Sequence, residues 1–127
     1  MTRLLLIGLA GALGTCSRYL IGLGAGRVFG AGFPFGTLIV NVVGCFLIAA
    51  VTEVAMTTDL ISPTLRLTLT TGFMGGLTTY SSFNLETTKL LQDRAWYAGL
   101  VNFSATVLGC FFAGLLGLAV ARRVFGT

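Results

Sequence analysis

The 127-residue chain contains no histidine and only four carboxylates, Glu53, Asp59, Glu86 and Asp93. Imidazole catalysis and imidazole ligation of metals are therefore excluded. Charge is scarce altogether. Only 9% of residues are Asp, Glu, Lys or Arg, against about 25% in an ordinary soluble domain. A small domain is mostly surface, and so few charges do not cover it. A soluble globular fold and a disordered chain are both excluded. Eight Lys and Arg against four Asp and Glu leave a net charge of +4. These charges are scattered, so no nucleic-acid surface is indicated. The three cysteines, Cys16, Cys45 and Cys110, lie in apolar runs and form no C-x-x-C pair. They indicate neither a zinc site nor a disulfide framework, and read as small helix-packing residues.

What is present is apolar. Hydrophobic residues make up 55% of the chain, there are 18 Gly, and mean hydropathy is +0.94. The chain reads as an all-α integral membrane protein. Four segments, about 4–26, 35–56, 63–91 and 97–121, reach the roughly 20 mostly apolar residues that a membrane helix needs. The connectors are too short to hold a soluble domain, so residues 1–127 read as one membrane domain. Arg3 and the apolar run after it resemble the start of a signal peptide. Leu13-Gly14-Thr15-Cys16 faintly resembles a lipoprotein cleavage box. The apolar run continues to Gly26 and no A-x-A site follows, so an uncleaved first span is expected.

Four spans place both termini on one side. That side collects Arg3, Arg66, Arg122 and Arg123; the other collects Arg27, Lys89 and Arg94, with Arg18 inside the first span. Lys and Arg in the loops set orientation, and here they nearly balance. Insertion in both orientations is expected, with antiparallel pairing of two copies. The alternative is one orientation fixed by a partner or a dominant charge. Small residues recur at Gly22 and Gly26, at Gly72 and Gly76, and at Gly109, Ala113 and Gly117. Such spacing permits close helix approach and predicts a homo-oligomer.

The third span carries the unusual chemistry. Residues 70–84 hold three Gly, four Thr and two Ser within apolar flanks. Gly75-Gly76 weakens a helix, and neighbouring hydroxyls satisfy freed backbone groups. The pattern predicts a helix broken near mid-membrane, with the Gly75 and Thr78 carbonyls free to hold a small hard cation. The competing reading is a Gly kink whose Ser and Thr bond back to the i−4 carbonyl. Tyr80 and Phe83 share one helix face. Aromatic ring edges carry the positive part of the quadrupole, so the pair suits an anion, although ordinary packing gives the same spacing. Thr37 and Asn41 share a face of the second span. Asn102, Thr106 and Cys110 form a one-sided polar ladder on the fourth. Intramembrane amides are either functional or interhelical glue.

The chain resembles the Fluc (CrcB) family of fluoride channels. The most specific match is Thr71-Gly72-Phe73-Met74-Gly75-Gly76-Leu77-Thr78-Thr79-Tyr80-Ser81-Ser82-Phe83, which is similar to the family signature TGFxGGLTTFSTF. Gly36-Thr37-Leu38 with Asn41 and Gly44 resembles its second-helix pattern. Arg18 and Glu86 fall where the family has an Arg in the first helix and a Glu after the aromatic pair. The resemblance implies passive fluoride export across the inner or plasma membrane by an antiparallel, dual-topology homodimer with two pores. It implies a structural sodium ion held by the backbone carbonyls of Gly75 and Thr78. It implies an ion pathway along Asn41, Tyr80 and Phe83, with Thr37, Ser81, Ser82, Asn102, Thr106 and Cys110. Tyr80 stands where Phe is usual, and Cys110 where a hydroxyl residue is usual. Two other readings compete: a small dual-topology multidrug transporter and a non-conducting assembly subunit. The transporter needs a membrane-embedded carboxylate. The first span has none, and Glu53 and Glu86 read as lying toward helix ends, at the interface.

Overall fold

Apolar continuity carries helix α1 over Thr2–Phe29 and α2 over Phe35–Thr57. The computed structural model describes residues 1–126. Gly30 ends α1 with φ of 80°, a left-handed conformation that glycine adopts without steric cost. The last helix, α6, covers Trp96–Phe125 and ends on left-handed Gly126. These three helices are long and apolar enough to cross a membrane, and the protein is a multi-pass membrane protein. Each span extends one to four residues beyond its sequence-read limits at one or both ends, as fraying boundaries allow.

The third segment is built in pieces. Pro63 opens helix α3 (Pro63–Leu67), and the Ser62 hydroxyl caps it by accepting from the Leu65 N–H at 3.2 Å. The chain then runs without interruption through a π-helical stretch, Thr68–Met74, into one turn of α-helix, α4 (Gly75–Leu77). Thr78 and Thr79 are extended, with ψ of 157° and 114°. Helix resumes as α5 (Tyr80–Gln92), capped by the Thr79 hydroxyl.

The break is therefore real, but it lies at Thr78-Thr79 and not at Gly75-Gly76. The glycines stay helical, Gly75 at φ −60° and ψ −37°. A helical Gly costs only about 1 kcal/mol relative to Ala. Hydrogen bonds from other helices, described below, decide where the helix stops.

Close packing is purchased with glycine, inside one chain. A Cβ on Gly14 would stand 2.1 Å from the Phe73 carbonyl oxygen, and one on Gly76 would stand 2.2 Å from that of Gly11. Gly72 meets the Ile7 backbone, Gly36 meets Gly22, and Gly117 meets Phe46. Within the chain, Gly72 and Gly76 thus seat the third segment on α1, and Gly117 seats α6 along α2, while Gly26 of the first stripe has nothing within 4 Å among the described residues. Among the largest side chains only Val40 and Asn102 are fully buried, while Leu5, Leu9, Leu13, Leu108, Phe111 and Phe112 are exposed. Such an inside-out distribution matches a lipid surroundings, where apolar side chains face outward without penalty.

Candidate functional site at the helix break

Four backbone carbonyls lose their helical partners where a helix stops. At this break the carbonyls of residues 75–78 are affected, and other elements claim only some of the freed groups. Arg18 of α1 donates from Nε to the Gly76 carbonyl at 3.1 Å. Asn41 of α2 engages Thr79 twice: its Oδ1 accepts from the Thr79 N–H at 2.7 Å, and its Nδ2 donates to the Thr79 carbonyl at 3.0 Å. Asn41 is only 7% exposed. Its amide thus pairs with a peptide group as a neighbouring β-strand would.

The hydroxyls divide into two sets. Those of Thr68, Thr70, Thr78, Thr87 and Thr88 donate to the carbonyl four residues back. They satisfy the helix, and that of Thr87 also accepts a bond from α6. Those of Thr79, Ser81 and Ser82 cluster at the N-terminus of α5. Thr79 Oγ1 lies 3.2 Å from Ser81 Oγ, donates to Ser82 Oγ at 3.1 Å and accepts from the Ser82 N–H at 3.2 Å. The Tyr80 and Ser81 N–H groups stand in the first turn, where no intrahelical acceptor exists. A helix N-terminus carries a partial positive charge. Beside it opens a recess of about 380 Å³ lined by Arg18, Thr15, Thr37, Thr79 and Ser82. This wall presents N–H and O–H donors and one guanidinium, and no carboxylate.

Tyr80 and Phe83 meet edge to face, with centroids 5.4 Å apart and planes at 68°. Phe83 is 3% exposed and packs 6.2 Å from Phe103, whereas Tyr80 is 77% exposed. The Tyr80 hydroxyl makes no hydrogen bond among the described residues. Its ring points away from this chain's own core.

The predicted ladder on α6 separates into unlike members. Asn102, 1% exposed, donates from Nδ2 to Thr87 Oγ1 at 2.9 Å and ties α6 to α5. It is interhelical glue. The Thr106 hydroxyl is buried with no partner. Cys110 is half-buried, and it is a free thiol, as is Cys45 on α2. Glu86 accepts at 2.8 Å from the hydroxyl of Thr37, on the first turn of α2, and among the described residues its second oxygen is buried without a partner. Thr37 therefore faces Glu86 as well as the recess. Two polar residues in two apolar spans were the signal for this pair, and the Arg18 bond had no comparable one.

Gly75 is exposed and Thr78 half-buried on the outer side of the break. No N–H among the described residues reaches either carbonyl. Carbonyl oxygens suit a hard monovalent or divalent cation. Among the described residues no cluster of three or more Cys, Asp or Glu offers another cation site. The fit to a sodium-sized ion is thus one of donor chemistry, two carbonyl oxygens without a hydrogen bond among the described residues.

The chain is 55% identical over 124 residues to a fluoride-specific ion channel FluC of Sorangium cellulosum, covering 98% of each chain. It is 47% identical to one of Geobacter metallireducens, covering 98% of this chain and 100% of that one. It is 46% identical to one of Anaeromyxobacter dehalogenans, covering 99% and 100%. Residues 5–118 match the family described as CrcB-like protein, Camphor Resistance (CrcB). On a match of that length, with the signature of the third segment lying at its structural break, the chain belongs to the CrcB family.

Proposed function

We propose that this chain is a fluoride-selective channel that lets fluoride leave the cytoplasm passively across the inner membrane and so relieves its toxicity. The observation that carries the reading is the hydroxyl-lined N-terminus of α5, set between the Arg18 recess and the Tyr80–Phe83 pair. Fluoride is small and strongly hydrated, so a pore must replace its water with close donors. The Thr79, Ser81 and Ser82 hydroxyls, and the unpaired hydroxyl of Thr106, supply them. Conduction also requires that the ion leave, so weakly positive ring edges serve better than a second full charge. The working unit is an antiparallel homodimer with two pores. The 77% exposure of Tyr80 supports it, because a polar-tipped ring on the outer face has a place against a second copy. At the dimer axis the Gly75 and Thr78 carbonyls of both copies would hold a structural sodium ion, which supplies fixed positive charge and nothing reactive.

Fluoride efflux from liposomes holding the purified protein tests the reading, with chloride as control. Fast fluoride and undetectable chloride efflux are expected. Phe83→Ile removes a buried ring edge and should slow fluoride strongly, whereas Tyr80→Phe, which loses only an unbonded hydroxyl, should conduct at least as fast as the parent. The reverse order would move the ion path to another face. Glu86, with one carboxylate oxygen buried, favours the proton-coupled drug transporter. Efflux indifferent to an imposed proton gradient sets that reading aside.

Orientation gives an independent check. Reporters fused to the C-terminus that work only in the cytoplasm or only in the periplasm should both give signal, and several added Lys at one terminus should bias the ratio. A single orientation in the unmodified chain would defeat the antiparallel dimer.

A further inference from the structure

We infer that Asn41 is a positioning residue for the cation site: by taking the Thr79 N–H it strips the Gly75 carbonyl of its helical donor and leaves that oxygen free for a cation. The inference rests on the sodium reading proposed above. In an α-helix the N–H of residue 79 belongs to the carbonyl of residue 75. One residue earlier the helix is still intact, since the Thr78 N–H donates to the Met74 carbonyl at 3.0 Å. At the next peptide the N–H turns to Asn41 Oδ1 at 2.7 Å. Gly75 is thus the first carbonyl at this break to lose its partner. Arg18 covers the second, Gly76, at 3.1 Å. Of the remaining two, Leu77 belongs to a buried residue and Thr78 to a half-buried one.

A primary amide offers a donor and an acceptor side by side, as a peptide group does. Asn41 uses both on Thr79, and its burial leaves no water to compete. Gly44, on the same face three residues on, brings α2 close enough. A Cβ there would stand 2.2 Å from Thr78 Cγ2. Asn41 and Gly44 together give the second-helix pattern a physical meaning: one residue clamps the break and the other lets it come near.

Without the amide, the Thr79 N–H returns to the Gly75 carbonyl and the oxygen is consumed. Asn41→Ala should raise the sodium concentration that half-saturates thermal stabilisation of the purified protein by at least about tenfold, the usual loss when a residue orienting a metal ligand is removed. The titration is run in N-methylglucamine chloride at constant ionic strength. Phe83→Ile, away from the break, should titrate as the parent does.

A second measurement works without sodium. Gly75-Gly76 is the only Gly–Gly peptide in the sequence. Labelling glycine with carbonyl ¹³C and amide ¹⁵N therefore selects the Gly75 carbonyl by its one-bond coupling. In sodium-free medium this resonance should move downfield, toward the hydrogen-bonded range, in Asn41→Ala. An unmoved resonance, or an Asn41→Ala titration matching the parent, overturns the positioning role. A parent whose carbonyl moves on mutation but whose stability ignores sodium overturns the cation reading alone. If Asn41→Ala fails to fold, Gly44→Ala, which pushes Thr78 away from α2, is read by the same two measurements and must displace both.

Discussion

Fluoride efflux through Asn41→Asp falls on the order of 100-fold below the parent, the scale set by an uncompensated buried charge of roughly 3 kcal/mol. The substitution is nearly isosteric, so the loss comes from electrostatics. Oδ1 still accepts from the Thr79 N–H at its 2.7 Å position. The second carboxylate oxygen, however, replaces a donor 3.0 Å from the Thr79 carbonyl. Two acceptors then face each other in a site with 7% exposure. The same negative charge lies behind the hydroxyl cluster proposed to receive the anion. Assembly should persist, because the bond that holds the break open is kept. Efflux per reconstituted protein, read beside the elution volume of the purified protein, checks this. An Asn41→Asp protein that conducts like the parent removes Asn41 from the path.

The second large effect is on folding. Gly14→Ala and Gly76→Ala should each destabilise the protein by at least about 3 kcal/mol, the upper range for overpacking against an unyielding wall. The methyl groups would meet backbone: Phe73 O at 2.1 Å and Leu77 N at 2.9 Å for Gly14, Gly11 O at 2.2 Å and Thr15 N at 3.0 Å for Gly76. Backbone has no rotamer to change, so α1 must separate from the third segment. Arg18, one turn beyond Gly14, then loses its reach to the Gly76 carbonyl. Gly24→Ala is the matched control, since nothing lies within 4 Å of its added carbon. Thermal midpoints and monodisperse yield measure the three variants. A Gly14→Ala protein with the parent's midpoint would mean that α1 crosses elsewhere.

The spans were legible because a membrane helix is specified by length and hydropathy, both local properties. The break was legible in kind but misplaced by three residues. Gly75-Gly76 is a conspicuous local signal of small energy. The decisive partner, Asn41, lies 38 residues away in sequence. The same limit governs the hydroxyls. Thr78 and Thr79 are adjacent and chemically identical, yet one bonds back to Met74 and the other organises the site. Only the position of the break separates them. Small-residue stripes announced close approach, but spacing does not say which helix approaches, and here the neighbours lie in the same chain. The Glu86–Thr37 bond was not legible, because it joins residues 49 apart in sequence. The Fluc resemblance pointed to the right region, since its signature spans the break itself.

The π-helical stretch at Thr68–Met74 has a consequence for how this chain tolerates length changes. A π turn holds one more residue than the α turn it replaces. Each π residue turns through less than the roughly 100° of an α residue, so seven of them sweep nearly the angle of six in regular α-helix. Removing one residue between 68 and 74 would convert the stretch to α-helix and leave Gly76 still turned toward α1. A single deletion here is therefore absorbed, whereas the same deletion within α1 or α2 would turn everything beyond it by about 100°.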